Sequence, residues 1–373
     1  MGLMDSQDAL RKHKSKKSQN LTNPTNPGSD ILKFAHLHIS LSLHQMSIPD
    51  KQQVFSINNK EQFEEAALQI FNYQAKNCAV YGQFISGLKI DPDKINAVDQ
   101  IPFLPIEFFK SHPILSTKEP VQVTFTSSGT TGMVTSSHYV IDKTWYEDSF
   151  RNAFHLFYGD IKNYTVLALL PSYLEREGSS LIYMVDELIK LSGNPDSGFF
   201  LYNHDELHHQ LKKQQDAKKT TLLIGVTFGL LDFIENYHID FAELIVMETG
   251  GMKGRRKEMI REELHEVLCK GFGVKTIHSE YGMTELLSQA YSKGEGIFDC
   301  PPWMKITIRD TNDPISTLTT GKTGGINVID LANINSCSFI ATQDLGKTYA
   351  DGSFEVLGRF DQSDIRGCNL LIA

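Results

Sequence analysis

Three short stretches of this chain gather the residue types that handle phosphate and sugar. The first is Val121-Gln-Val-Thr-Phe-Thr126-Ser127-Ser128-Gly129-Thr130-Thr131-Gly132, an alternating strand running into small hydroxyl residues and glycines. Such a loop can wrap closely around an anion, turning backbone N–H groups inward while hydroxyls add further donors. It is not a Walker loop, which needs a lysine after its second glycine, whereas Met133 follows Gly132. A flexible Ser/Thr/Gly linker has the same composition, so this stretch alone leaves both readings open.

The second stretch is Glu280-Tyr281-Gly282-Met283-Thr284-Glu285, placed by the apolar pattern just after a strand over Val274–Ile277. Ligands of open α/β sheets sit at the carboxyl ends of strands. A hydroxyl and a carboxylate there can hold a phosphate oxygen and Mg2+. The plainer alternative makes Thr284 the cap of a following helix. The third is Thr342-Gln343-Asp344-Leu345-Gly346, followed by Gly358-Arg359-Phe360-Asp361. An aspartate after a strand suits both hydroxyls of a ribose, and an arginine can close over the same sugar. Taken singly, they are equally a turn aspartate and a surface arginine.

These residues need a scaffold, and the apolar pattern supplies one. Apolar positions from Gln62 to Gln83 and from Trp145 to Tyr158 recur at helical spacing. Short apolar runs at Thr165–Leu170, Phe199–Tyr202, Thr221–Val226, Leu244–Glu248 and Val274–Ile277 then alternate with helical segments. Those segments centre on Leu181–Leu191, Glu206–Gln215, Leu230–Tyr237 and Arg256–Lys270. The alternation predicts an α/β fold, with largely parallel sheet layers covered by helices. From Pro301 the helical pattern stops, and Met304–Arg309, Gly325–Leu331, Ser338–Thr342 and Phe354–Arg359 predict a small β-rich subdomain. The expected organisation is a disordered extension over 1–45, an α/β body over 46–300, a β-rich subdomain over 301–360 and a flexible tail over 361–373.

Composition excludes several classes. The 373 residues are 40% apolar and 22% charged, an ordinary globular balance with room for more than one core. A net charge of −9 argues against a general nucleic-acid binder. No apolar run approaches the ~20 residues of a membrane span. The five cysteines are odd in number and lack CxxC spacing, which fits a reducing cytoplasm and neither a disulfide framework nor a zinc site. The basic start, Arg11-Lys12-His13-Lys14 with Lys16-Lys17, lacks the apolar stretch of a secretory signal, and folding is expected to begin near Met46. His204 and His208 stand at i, i+4 within His204-Asp-Glu-Leu-His208, but Asp replaces the Glu of a zinc HExxH motif, so a solvated helix face is the expectation.

In this order and at these separations, the motifs resemble the adenylate-forming superfamily of acyl-CoA synthetases, luciferases and related ligases. Thr126–Gly132 resembles its phosphate loop, Tyr281–Glu285 its YGxTE motif, Thr342–Leu345 its T-G-D-L motif and Gly358–Asp361 its hinge. Glu248-Thr-Gly250-Gly251 stands where that superfamily covers the adenine. The likeness runs from about Ile101 to Gly367. Within the superfamily, Ile101-Pro-Phe-Leu-Pro-Ile-Glu-Phe-Phe-Lys110, Pro171-Ser-Tyr-Leu-Glu-Arg176 and Asp364-Ile-Arg-Gly-Cys368 resemble the LuxE-type acyl-protein synthetases.

The resemblance implies the fold of that superfamily's N-terminal domain, with ATP and Mg2+ as cofactors. It implies activation of a long-chain fatty acid to acyl-AMP, then a thioester on Cys368 for delivery to an acyl reductase, with an acyl-transferase as a further partner. Ser127, Ser128, Thr130 and Thr131 would hold the triphosphate in a loop shaped by Gly129 and Gly132. Thr284 would meet the α-phosphate, Glu285 the Mg2+, and Asp344 and Arg359 the ribose, with Tyr281, Gly282, Gly250 and Gly251 also in the nucleotide site. Arg366, two residues before Cys368, would lower the thiol pKa.

Two departures qualify the resemblance. No lysine follows the phosphate loop, and the mobile C-terminal domain that carries the usual catalytic lysine is not expected here. Arg366, Lys110, Lys253 or a partner subunit would have to neutralise the α-phosphate. An acyl- or aryl-CoA ligase and a non-catalytic nucleotide- or acyl-binding subunit are the competing readings.

Overall fold

A computed structural model of the chain describes residues 48–127, 134–171, 178–250 and 259–360. The chain divides into two units, Met1–Gln45 and Met46–Ala373, and every described residue lies in the second. The expected extension over 1–45 and tail over 361–373 lie outside the described residues.

The described chain begins with α1 (Lys51–Phe55), α2 (Lys60–Asn77) and α3 (Ala79–Gly87). The single helix expected over Gln62–Gln83 is two, because Cys78 is extended at φ −87° and ψ 104°. Gly82 permits the break. A Cβ there would stand 2.8 Å from the Ala75 carbonyl oxygen, so only glycine lets α3 return this close to the end of α2. Next come β1 (Leu104–Pro105), α4 (Phe108–Ser111), the antiparallel hairpin β2 (Val123–Thr126) and β3 (Ser137–Val140), and α5 (Lys143–Tyr158).

Alternation of strand and helix then follows: β4 (Thr165–Leu169), α6 (Ser180–Ser192), β5 (Gly198–Phe200), α7 (His204–Asp216) and β6 (Thr221–Val226). It continues through α8 (Thr227–Ile234), β7 (Leu244–Thr249), α9 (Arg261–Phe272) and β8 (His278–Tyr281). The strands pair in parallel in the order β5-β4-β6-β7-β8. Successive strand residues face opposite sides. Accordingly Ala168, Leu222 and Ile224 join Phe150 of α5 and Met184 and Val185 of α6 in one core. Leu167, Leu169 and Leu223 join Leu211 of α7, Leu230 of α8 and Leu268 of α9 in the other. Helices therefore cover both faces, which is why β4 and β6 are buried throughout and read as unbroken apolar runs.

The same sheet continues antiparallel through β9 (Ala290–Ser292), β10 (Ile297–Asp299), β11 (Met304–Arg309), β12 (Gly324–Asp330), β13 (Phe339–Thr348) and β14 (Phe354–Arg359). Its full order is β11-β12-β13-β14-β10-β9-β8-β7-β6-β4-β5, with β1 parallel to β13. This twelve-stranded sheet crosses residue 300 without a break. The α/β class and the β-rich C-terminal part agree with the sequence reading. One strand is corrected: pairing with β7 starts at His278 opposite Met247, four residues after the start of the predicted Val274–Ile277 run and just past its end. Gly273, left-handed at φ +64°, ends α9 just before that run and delays the extended segment.

Candidate nucleotide and acid site

β13 and β14 place two of the singled-out residues directly opposite each other, Asp344 facing Arg359 across the ladder. Arg359 Nε donates to Asp344 Oδ1 at 3.1 Å, and the Tyr281 hydroxyl, at the end of β8, donates to Asp344 Oδ2 at 2.9 Å. The Asp344 N–H donates to Thr342 Oγ1 at 3.1 Å, which fixes the turn of the backbone at the carboxylate. Burial and the adjoining Asp344 carboxylate hold the Tyr281 phenol well above its ordinary value, so it remains a donor. The Arg359 side chain is 77% exposed, so its ion pair adds little to stability and leaves the guanidinium open to a ligand.

Thr284 and Glu285 follow Tyr281 on an irregular segment, not on a helix, so the capping alternative for Thr284 is excluded. Glu285 is 5% exposed. Burial raises its pKa, opposed by a hydrogen bond from Ser136 and by the charges of Arg359 and Lys110. Lys110 arrives there because β1 pairs with β13 and Ile106 N donates to the Ala341 carbonyl at 3.0 Å, leading α4 along the same strand. Arg359 thus acts on both Asp344 and Glu285, and the T-G-D-L-like and YGxTE-like stretches share one corner of the sheet.

The neck of the expected phosphate loop lies at the same corner. Thr126 pairs with Ser137, Ser127 N donates to the Ser136 carbonyl at 3.0 Å, and Ser136 N donates to Ser127 Oγ at 2.8 Å. The main chain of Ser136 thus closes the neck, and its side-chain hydroxyl is the group bonded to Glu285. Ser128, Gly129, Thr130, Thr131 and Gly132, which complete the loop, lie outside the described residues. So do Gly251, Lys253, Asp361, Arg366 and Cys368.

Gly250 stands one strand over, at φ +70° after β7. Thr227 Oγ1 lies 2.7 Å from its carbonyl oxygen and 3.1 Å from Glu248 Oε2, while Arg261 donates to Glu248 Oε1 at 3.0 Å. The hydroxyl of Thr249 donates to Glu280 Oε2 at 2.5 Å. Glu280 points away from Asp344 and Glu285 along β8; burial and the neighbouring Glu248 push its carboxyl up to about 7. Gly282 leaves space for it, since a Cβ there would stand 2.4 Å from Glu280 Oε1.

Among the described residues no group of three or more His, Cys, Asp or Glu is arranged to hold a metal ion. His204 and His208 pack on the rings of Phe233 and Tyr237. Burial raises the thiols of Cys78, Cys269, Cys300 and Cys337, which disfavours the thiolate at each. Sequence reading missed Ser136 and His138. Ser136 could have been suspected from the run of hydroxyl residues Thr135-Ser136-Ser137; nothing in the local pattern marks His138.

Residues 41–151 match the family described as acyl-protein synthetase, LuxE. A long-chain-fatty-acid–luciferin-component ligase from Photorhabdus luminescens is 34% identical over 71 residues, which is 19% of this chain and 60% of that relative. ATP-bound MatB from Rhodopseudomonas palustris superposes with a TM-score of 0.50 at 17% identity, over 65% of this chain and 49% of MatB. A 2-hydroxyisobutyryl-CoA ligase in the postadenylation state, in complex with 2-HIB-AMP, superposes with a TM-score of 0.61 at 12% identity, over 82% of this chain and 69% of that one. The chain therefore spans 60% of the curated relative and about half of MatB. At these identities the structures show a shared fold, that of adenylate-forming enzymes. The LuxE-type resemblance of Ile101–Lys110 agrees with the family match, whose range contains that stretch and the phosphate-loop neck.

Proposed function

We propose that this LuxE-like chain activates a long-chain fatty acid with ATP, forming acyl-AMP, and then carries the acyl group as a thioester on Cys368 for a partner reductase. The observation that carries the reading is convergence. The loop neck at Ser127 and Ser136, the Glu285 carboxylate and the Asp344–Tyr281–Arg359 cluster meet at one corner of the sheet.

Each part has a task. The acid oxygen attacks the α-phosphorus in line with departing pyrophosphate, giving acyl-AMP and pyrophosphate. Fixing two reactants in such a geometry can be worth ~7–11 kcal/mol. Ser127 and the rest of the 126–132 loop would hold the triphosphate, and the Thr284 hydroxyl would meet the α-phosphate. Asp344 would accept from the ribose hydroxyls, with Arg359 free to swing over the sugar. Lys110, beside Glu285, takes the place of the absent loop lysine in countering phosphate charge. A buried carboxylate bonded by Ser136 and its own backbone N–H, and facing the charges of Arg359 and Lys110, fits a cation that arrives with the triphosphate, the usual mode of Mg2+, which takes one or two carboxylates and completes its shell with phosphate and water. Bound at Glu285, Mg2+ would supply charge neutralisation. Transfer follows when the Cys368 thiolate attacks the acyl carbonyl and AMP leaves. Arg366 favours the thiolate by its charge.

The test is the intact mass of the pure protein after ATP, Mg2+ and myristic acid, before and after neutral hydroxylamine. An adduct removed by hydroxylamine, absent from Cys368→Ser although that variant still releases pyrophosphate, is expected. Equal loss of both steps in Cys368→Ser would overturn the carrier role. Pyrophosphate release without an adduct in the unaltered protein would favour a free acceptor such as CoA.

A further inference from the structure

The segment from Gly282 to Gln289 carries Thr284 and Glu285, yet no strand ladder or helix sets its path. Buried side chains from distant parts of the chain hold its main chain instead. His138 Nδ1 lies 2.8 Å from the Thr284 carbonyl oxygen and its Nε2 3.0 Å from Asn333 Oδ1; both oxygens are acceptors, and a neutral ring donates to one of them. Asn333 Nδ2 donates to the Glu285 carbonyl at 2.8 Å. Leu287 N and Ser288 N donate to Asp330 Oδ2 at 2.8 and 3.0 Å, and the Ser288 hydroxyl donates to Asp330 Oδ1 at 2.6 Å. Asp330 and Asn333 bracket one short turn, Leu331–Asn333, after β12.

Asn333 is itself braced. Asn333 Nδ2 donates also to the Cys337 carbonyl at 3.0 Å, and Gln74 Nε2 of α2 donates to the Asn333 carbonyl at 3.1 Å. Asp330, Asn333 and His138 are each at most 1% exposed. Polar groups buried this deeply cost free energy unless every one is bonded, and apolar residues of like size would often serve stability as well. Most of their side-chain bonds converge on a single irregular segment, at Thr284, Glu285, Leu287 and Ser288. His138, moreover, sits on β3, the outgoing arm of the hairpin whose neck is closed by Ser127 and Ser136.

We propose that His138, Asp330 and Asn333 are positioning residues, which lock the main chain of Thr284–Ser288 in register with the phosphate-loop hairpin. They touch neither acid nor nucleotide. They set where the Thr284 hydroxyl and the Glu285 carboxylate stand, and an ångström of misplacement there can cost about 100-fold in rate. The inference rests on the adenylation reading.

Pyrophosphate release with ATP, Mg2+ and myristic acid tests it on the full chain carrying Asn333→Ala. Turnover is expected to fall about 100-fold while KM for ATP moves less than about threefold, because the Asp344 cluster is untouched. Amide hydrogen exchange is expected to quicken in peptides covering 283–289 and not in those covering β6 and β7. A folded Asn333→Ala variant that keeps its turnover overturns the positioning role alone. Unaltered protein that is silent with every acid overturns the adenylation reading, and the positioning role with it. Should Asn333→Ala not fold, His138→Ala and His138→Gln carry the test. Glutamine retains an N–H donor for the Thr284 carbonyl and should recover about tenfold of the turnover lost in the alanine variant; equal turnover in the two overturns the proposal.

Discussion

Replacing Glu280 with glutamine should make this protein more stable at alkaline pH and leave it nearly unchanged in mild acid. The carboxyl lies between Thr249 on β7 and Tyr291 on β9, its register partners, and its charge is felt by Tyr146, Tyr158 and Tyr291. Burial is the largest influence; the Thr249 hydroxyl opposes it, and the like charge of Glu248 adds to it, so the carboxyl titrates near about 7 instead of 4.5. An acid whose folded-state pKa is raised holds its proton longer when folded, so stability falls as pH rises from about 4.5 through about 7 and is flat beyond. The gap between those values corresponds to about 3 kcal/mol. Glutamine keeps an acceptor for the Thr249 hydroxyl and never ionises, so the penalty disappears.

The assay is urea unfolding followed by the fluorescence of Trp145 and Trp303, both buried, at about pH 5 and about pH 8.5. With a slope of about 3 kcal/mol per molar urea, the variant's midpoint should exceed that of the unaltered protein by about 1 M at the higher pH and by little at the lower. The comparison must be made as a difference between proteins. Burial lowers His138 and His278 to about 4, and a histidine with a depressed pKa contributes stability above its ordinary 6.5 that is lost as pH falls toward 4. That opposite slope belongs to both proteins and cancels. A variant advantage equal at both pH values, or greatest in acid, would refute the reasoning.

Asp344→Ala removes the acceptor shared by Tyr281 and Arg359, and calorimetric titration should show ATP binding weakened about 10- to 100-fold, as for loss of a charged hydrogen bond. Unchanged affinity would reject the ribose assignment. Gly273→Ala forces a Cβ at φ +64° to within 2.6 Å of Asp240 Cα and 2.7 Å of the Ile239 carbonyl oxygen, both main chain. Thermal unfolding should report a loss of more than about 1–2 kcal/mol, the cost of a left-handed non-glycine residue before any clash.

Several strands were legible. Thr221–Val226, an unbroken apolar run, and Met304–Arg309, a two-residue alternation, have the predicted bounds, and so does Phe354–Arg359, which carries Arg359. β8 was misplaced for the opposite reason. His278, Ser279 and Glu280 read as polar loop, and they are strand because Tyr158, Arg261 and Thr249 supply each with a partner. β9 and β10, of three residues each, are too short to carry a period. Alternation finds a strand by its burial against apolar neighbours, so it loses the strand just where polar neighbours gather for a purpose.

The same logic divides the residues of the site. Tyr281, Asp344 and Arg359 meet through their side chains, and their types and order in the chain suggested the meeting before any geometry was in view. Asp330, Asn333 and His138 act on main-chain atoms of another segment, and a main-chain carbonyl accepts equally from any residue that carries it. No side-chain pattern in 282–289 therefore asks for an asparagine nearly fifty positions later or a histidine nearly one hundred and fifty positions earlier. What marks these three is cost. A buried carboxylate, carboxamide and imidazole each lose solvation, and that loss is offset only if the segment they grip keeps one path. A site whose hydroxyl and carboxylate must stand within an ångström of a phosphate is a setting where such a restriction has a use.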